Sequence, residues 1–239
     1  MSRYLVVAAV LALAGAPLAA QESVTEWAEQ NPPPGGSGTP TDGQVQGEGP
    51  SLTFYTSRTD FDNAHPGLPI EDAEEGNVPP GGVVACPSPL DENNNDACFS
   101  PGDILPGLTI TESAAPQVDG LALIGACFAG NPSKILVANF FIENFQLQFG
   151  PAVLAAGMDL GCYFGADTVT VTINGPAGQL GTAQALCTNG TAFFGVDTSD
   201  PGGISEIIID SPTDQAEGAD NIAFGGVPIP VELQSFDIE

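Results

Sequence analysis

The stretch TVTVTINGPAGQLGTAQAL, residues 168–186, decides the fold class of this chain. Its first six residues alternate threonine with a β-branched apolar residue, which is the period-two pattern of a strand with one buried face. The apolar positions are Val169, Val171 and Ile173. Asn174-Gly175 is a turn signal, and residues 179–186 are typical of the strand that returns from it. This stretch therefore predicts an antiparallel hairpin.

The same alternation recurs elsewhere in the chain. In NFQLQFG, residues 144–150, Phe and Leu alternate with Gln, and LTIT, residues 108–111, places Leu108 and Ile110 on one face. Segments of this kind are separated by clusters of Gly, Pro, Asn and Asp, and no helical period of comparable length competes with them. The sequence predicts an all-β fold, an antiparallel β-sandwich of jelly-roll type behind a disordered N-terminal leader.

The chain divides into four parts by composition. Residues 1–20 carry one basic residue followed by an apolar run of small residues, which predicts a secretory signal peptide. Residues 21–50 are rich in Pro and Gly and are expected to form a disordered linker in which Trp27 lies outside the core. The sandwich is expected over residues 51–227, with a tail or closing strand over 228–239. The mature chain is expected to be secreted, without a membrane span.

The charge balance excludes several kinds of partner. Beyond residue 20 the chain has two basic residues, Arg58 and Lys134, against 30 acidic residues, a formal charge of −28. Two cations cannot follow a phosphate backbone, so nucleic acid is excluded as a partner. Divalent cations are the expected partners of such an acidic surface.

Five cysteines follow the signal peptide. In an exported chain they predict disulfide bonds rather than a metal site. Cys86–Cys98 closes a short loop and is the first predicted pair, and Cys162–Cys187 is the second. Cys127 is left over, either as a free thiol or in an intermolecular bond.

Three segments together resemble a known class of domain. They are LTFYTSRTDFDNAHPGLPIEDAEEGN (52–77), LQFGPAVLAAGMDLG (147–161) and AFFGVDTSDPGGISEIIIDSPTDQAEGADNIAFG (192–225). Their order and content resemble exported bacterial jelly-roll β-sandwich domains of the kind found in PEP-CTERM-type surface proteins. The chain departs from that pattern at Ala73, where the class has Phe. It also lacks the sorting tail, so a released protein, or one held by its surface chemistry, is expected.

The resemblance implies a calcium site that joins the two ends of the domain. Asp72 and Glu74 would supply ligands from the first segment, and Asp220 and Asn221 from the last. Carboxylate and amide oxygens are the ligands that Ca²⁺ prefers. Residues two apart in an extended strand project to one side, so Asp72 and Glu74 are expected to point together, away from their acidic neighbours.

The segment DENNND, residues 91–96, is a second candidate for a cation. Asp91, Asn93 and Asn95 occupy alternate positions, as at the start of an EF-hand loop. The later positions do not match, because Gly is missing at the sixth and Glu at the twelfth. The alternative is a polar turn inside a disulfide loop.

The resulting functional prediction is a non-catalytic extracellular surface, matrix or adhesion domain stabilised by calcium. A carbohydrate-binding module is the first alternative, with extracellular glycans or other surface proteins as partners. An acidic enzyme resembling glycoside hydrolases is the second. The single histidine, His65, is expected at a surface helix end and not in a catalytic triad.

Overall fold

The computed structural model describes residues 23–30, 45–48, 51–128, 130–163 and 166–226. The predicted signal peptide, most of the predicted linker and the predicted C-terminal tail lie outside these residues. No helix within these ranges is long and apolar enough to cross a membrane.

The described chain forms fourteen strands and two short helices. The helices are α1 Val24–Gln30 and α2 Arg58–Ala64. The first seven strands are β1 Val45–Glu48, β2 Leu52–Tyr55, β3 Ile70–Glu71, β4 Val83–Ser88, β5 Leu108–Glu112, β6 Gln117–Ile124 and β7 Ile135–Ala138. The others are β8 Phe145–Val153, β9 Ala155–Tyr163, β10 Asp167–Gly175, β11 Gly178–Cys187, β12 Asn189–Thr198, β13 Ile204–Asp210 and β14 Ala216–Gly225.

These strands form two sheets, and all pairings between them are antiparallel. One sheet has six strands in the order β1-β11-β10-β13-β8-β5. The other has eight, in the order β2-β12-β9-β14-β7-β6-β4, with β3 paired to β14. The predicted all-β antiparallel sandwich is confirmed, and the hairpin of residues 168–186 is the β10–β11 pair.

The main core lies between the two sheets. Val169, Val171 and Ile173 of β10 are fully buried there, as their alternation with threonine predicts. Phe145 and Leu147 of β8 face the same core. Each such side chain contributes about 1.5–3 kcal/mol relative to exposure, so these alternating strands supply much of the stability.

The outer face of the eight-stranded sheet is covered as well. Phe61 of α2 is fully buried and packs over the β9 and β12 backbones at Gly157 and Gly195, where a Cβ would lie within 3 Å of its ring. At the other end of the sheet, Val24 of α1 is buried and Trp27 meets Phe128 edge-on at 6.1 Å. The central strands β9 and β14 of this sheet are therefore shielded from water on both faces.

The prediction of a disordered leader needs correction at two places. Residues 24–30 form α1, which packs on the sheet, and residues 45–48 form β1, which pairs with β11. Trp27, which was expected to lie outside the core, is partly buried against an apolar cluster. The sequence signal is weak because the surrounding residues are polar, while the few apolar ones are those that dock.

Both predicted disulfide bonds are present. Cys86 is bonded to Cys98 and Cys162 to Cys187, and all four residues are buried. Cys127 is free and exposed. The first bond ties β4 to the long loop before β5, and the second ties β9 to the end of β11.

Candidate cation site and its charged surroundings

The acidic segment at residues 70–75 is a strand end followed by a turn. Strand β3 ends at Glu71, and Ala73 has a φ of 54°, in the left-handed region. The two-residue phase of a strand therefore does not continue past Glu71. The prediction that Asp72 and Glu74 project together is wrong, because each carboxylate has different neighbours.

In β3 the apolar residue is exposed and the acidic residue is buried, which is the reverse of the usual pattern. Ile70 is 47% exposed, whereas Glu71 is only 3% exposed. One Glu71 carboxylate oxygen accepts from the backbone N–H of Ala73 at 2.9 Å, and the other accepts from Leu105 at 2.8 Å. Glu71 thus fastens the loop before β5 to the sheet, which the sequence pattern does not indicate.

Three carboxylates, which we call the acidic turn, meet at this point. One carboxylate oxygen from each of Glu71, Asp72 and Glu75 lies within 4.8 Å of the others. Burial raises the pKa of Glu71, its two backbone hydrogen bonds lower it, and the negative charges of Glu75 and Asp72 raise it again. Each Glu71 oxygen retains a lone pair beyond its backbone bond, so the acidic turn could offer hard oxygen ligands to a cation.

Asp220 and Asn221 belong to a different cluster, on the outer face of the eight-stranded sheet. The β14 register shifts here, and Asn221 has a φ of 49°. This bulge turns the Asn221 amide sideways, so that its Nδ2 donates to Asp159 at 2.9 Å and to Asp220 at 3.1 Å. The Ser133 hydroxyl donates to Asp220. We call Arg58, Ser133, Asp159, Asp220 and Asn221 the Asp220 network.

Both basic residues of the chain beyond residue 20 lie at this cluster. Arg58 approaches Asp159 at 3.3 Å and donates to the Asn221 carbonyl at 2.8 Å. The backbone N–H of Lys134 donates to Glu74 Oε1 at 2.8 Å, and its Nζ lies 3.8 Å from Glu74 Oε2. Protein cations therefore contact two of the four residues that the resemblance assigns to calcium: Lys134 contacts the Glu74 carboxylate, and Arg58 contacts the Asn221 carbonyl.

The four residues predicted to bind calcium are therefore divided between the acidic turn and the surroundings of the Asp220 network. Glu74 raises the pKa of Asp220 electrostatically, which puts the two acids in one neighbourhood, with Asn221 adjacent. Asp72 lies in the acidic turn, where its Oδ1 accepts from the Glu74 backbone N–H at 3.1 Å. The sequence anticipated that the first and last segments meet, but it missed Glu71, Glu75 and Asp159.

Burial dominates the electrostatics of the Asp220 network. Desolvation raises the pKa of Asp220 to about 7, although hydrogen bonds from Ser133 and Asn221 oppose the shift. Desolvation also raises the pKa of Asp159, with the Arg58 charge pulling it back. These acids are held in place by neutral donors and one guanidinium, an arrangement that fixes the outer face of the sheet.

The second predicted cation loop is a self-capped turn. Asp91 Oδ1 accepts from the Asn93 backbone N–H at 2.7 Å, and the Asn94 carboxamide oxygen accepts from Asp91 N at 2.6 Å. Asn93 and Asn95 are exposed. No hydrogen bond joins the side chains of Asp91, Asn93 and Asn95 to one another within the described residues, and the bonds that are present are those of a polar turn.

His65 closes helix α2 and is engaged by two other polar groups. Its Nε2 lies 3.0 Å from Asp197 Oδ2, and the Tyr55 hydroxyl donates to the same oxygen at 2.6 Å. Burial and Asp197 raise the pKa of Tyr55 to about 12. These contacts fasten the end of α2 to β12 and β2, which is a structural role for the histidine.

Comparisons of the chain with known protein families, curated proteins and solved structures found no match. The resemblance to exported surface-protein domains therefore stays a prediction.

Proposed function

We propose that this chain is a non-catalytic extracellular domain of a surface or matrix protein, stabilised by calcium at the acidic turn. The observation that carries the extracellular part is the pair of buried disulfide bonds. Such bonds persist in oxidising compartments and are rare where thiols are kept reduced. The predicted signal peptide agrees with this assignment.

The disulfide bonds also suit a domain that must endure outside the cell. They close loops with sequence separations of 12 and 25 residues. On the chain-entropy account, closing a loop of this size raises the free energy of the unfolded chain by about 3 kcal/mol.

The geometry of the acidic turn supports the calcium part of the proposal. Its three carboxylates converge, and the two basic residues beyond residue 20 contact Asp159 and Glu74 instead. Burial is the main cause that raises the pKa of Glu71, and the repulsion from Glu75 and Asp72 that adds to it would be removed by a divalent cation. Asp72 and Glu75 are less buried than Glu71 and give a route from solvent.

Calcium-dependent thermal unfolding tests this proposal. We expect the Tm of the mature chain to rise when millimolar CaCl₂ replaces EDTA, because an ion that binds only the folded state stabilises it. Ca²⁺ at 100 times its Kd adds about 2.7 kcal/mol. The double variant Asp72→Asn/Glu75→Gln should lose this rise.

Two controls make the calcium test decisive. Asp119→Asn removes an exposed acid elsewhere and should retain the full rise, as should Asp220→Asn in the Asp220 network. If wild-type Tm is the same in calcium and in EDTA, the calcium proposal fails. If Asp220→Asn abolishes the rise and the acidic-turn variant keeps it, the ion belongs to the other cluster.

Export is tested separately by expressing the full chain in a bacterium. We expect the protein to leave the cytoplasm, to begin after Ala20 and to contain one free thiol. Peptide mapping without reductant would identify both bonds. A cytoplasmic, unprocessed product with five reduced thiols would contradict the extracellular assignment whatever the calcium result.

A further inference from the structure

The outer face of the six-stranded sheet carries a row of polar side chains that crosses four strands. Backbone register places Thr109 of β5 opposite Gln148 of β8, Gln148 opposite Glu206 of β13, and Glu206 opposite Asn174 of β10. Because neighbouring strands lie about 4.8 Å apart, the row is about 14 Å long. This is a continuous polar strip, not an isolated side chain.

Hydrogen bonds hold the centre of this strip in one arrangement. Asn174 Nδ2 donates to one Glu206 carboxylate oxygen at 2.7 Å, and Gln148 Nε2 donates to the other at 3.3 Å. An amide offers two N–H donors and a carbonyl acceptor, and a carboxylate accepts further bonds. The strip therefore presents donors and acceptors side by side, already oriented.

A shallow cleft of about 610 Å³ lies over the strip. Its lining residues include Gln148 and Phe149 of β8, Asn174 and Gly175 at the end of β10, and Ser205 and Glu206 of β13. Phe149 is 5% exposed and contributes little apolar surface. The cleft thus offers hydrogen bonds rather than a hydrophobic floor.

We propose that this cleft binds a neutral oligosaccharide. Sugar hydroxyl groups both donate and accept, so a ligand rich in them matches a strip of amides around a carboxylate. The proposal rests on the extracellular part of the proposed function, because glycans are met there, but it does not need calcium.

Charge and hydrophobicity argue against the other classes of ligand. Arg58 and Lys134 are the basic residues of the described ranges, and both contact groups of the eight-stranded sheet and its loops. Within those ranges the strip therefore has a carboxylate, Glu206, without a basic residue to receive an anion. Uronic-acid and sulfated polymers would be repelled. Among the described residues the large exposed apolar side chains are Ile70, Val118 and Ile142, and none of them belongs to a strand of this sheet, which disfavours an apolar protein partner.

Isothermal titration of the mature chain tests the proposal. The probes are neutral hexasaccharides of glucose, mannose, galactose, xylose and N-acetylglucosamine, with polygalacturonate as the anionic probe. We expect saturable binding of at least one neutral probe and none of polygalacturonate. Glu206→Ala should weaken that binding about tenfold or more, since a hydrogen bond to a charged group is worth about 1.5–3 kcal/mol.

Matched variants separate the cleft from the rest of the face. Gln148→Ala removes an exposed amide from the strip and should weaken binding without unfolding the chain. Gln184→Ala removes an exposed amide from the same sheet outside the cleft, where it donates to Thr170, and should bind like wild type. Near-UV circular dichroism checks that each variant is folded.

Three results would overturn the proposal: no binding of any neutral probe, preferred binding of polygalacturonate, or equal weakening by Gln184→Ala and Gln148→Ala. EDTA should leave the affinity unchanged. If calcium stabilises the chain but no glycan binds, the proposed function stands and the proposal that this cleft binds an oligosaccharide fails.

Discussion

Arg58 concentrates several contacts of the Asp220 network in one side chain. Its guanidinium pairs with Asp159, donates to the Asn221 carbonyl and lies 4.5 Å from the centre of the Phe193 ring. The side chain is 25% exposed and that of Asp159 15% exposed. An ion pair this sheltered is costly to break, because the remaining charge keeps its desolvation penalty.

Removing the Arg58 charge tests that reasoning. Arg58→Met keeps the apolar stem over Phe193 and should lower the free energy of unfolding by about 2 kcal/mol at neutral pH, less than a fully buried pair would lose. Urea unfolding measures the change. Adding Asp159→Asn to the Arg58→Met variant should cost less than Asp159→Asn alone, by about 1 kcal/mol. Strictly additive losses would mean that the two side chains do not cooperate.

Residue-level features explain why the arrangement of the candidate cation site is only partly predictable from the sequence. The resemblance predicts that Asp220 and Asn221 meet the first acidic segment, and Glu74 does lie near Asp220. The assignment of Asp72 relied on a strand that ends one residue earlier, at Glu71. Neither the left-handed φ at Ala73 nor the bulge at Asn221 has a reliable signal, since both residue types usually adopt other conformations.

Helix α1 lies in a polar segment and is held against the sheet by a few contacts. Val24 is fully buried, and its backbone N–H donates to the Asn139 carbonyl at 2.8 Å. Trp27 is the only tryptophan of the chain, so its fluorescence reports specifically on the docking of this helix. Seven residues are too few for a stable isolated helix, so α1 depends on the sheet beneath it.

Tryptophan fluorescence provides a prediction for α1. Phe128→Leu alters the ring that Trp27 meets edge-on and should move Trp27 emission to longer wavelength, with increased quenching by acrylamide. The loss of stability should be about 1.5 kcal/mol or less, because volume is largely kept. Phe61→Leu, in α2, is the matched control and should leave the emission unchanged, because Phe61 packs in a different apolar cluster from Trp27. An unchanged spectrum in Phe128→Leu would show that α1 is not docked there.

The strands divide into those that the sequence indicates and those that it hides. In β8 and β10 one face is solvated, so apolar and polar residues alternate visibly. Strands β9 and β14 are buried on nearly every side chain, because both helices and the second sheet cover them. Alternation disappears in such strands, and their small residues indicate close packing only after the covering elements are known.

At the scale of the whole molecule, a strongly acidic chain has buried several of its carboxyl groups. Glu217 is 1% exposed beside the disulfide-bonded Cys162, and burial raises its pKa to about 9. The pKa values of Asp220, Glu71, Glu112 and Asp159 are raised by burial as well. The sequence shows the number of acids but not which ones the sandwich encloses.

These buried acids make stability depend on pH in one direction. A carboxyl group whose pKa is higher in the folded state holds its proton more tightly when folded, so the folded chain binds more protons at intermediate pH. For Glu217 this interval runs from its ordinary pKa of 4.5 to about 9. Across it the free energy of unfolding falls by up to about 1.4 kcal/mol per pH unit for that group.

We therefore expect the chain to be more stable at pH 5 than at pH 8.5, as measured by urea unfolding in 1 M NaCl. High salt screens repulsion among surface acids but leaves desolvation of a buried carboxyl intact, so the remaining slope reports the buried groups. Glu217→Gln should flatten the slope and surpass wild type at pH 8.5, because the variant has no proton to lose. Asp119→Asn should follow wild type. A Glu217→Gln curve parallel to wild type would mean that Glu217 ionises alike in both states, and the slope would then have to arise from Asp220 and its neighbours.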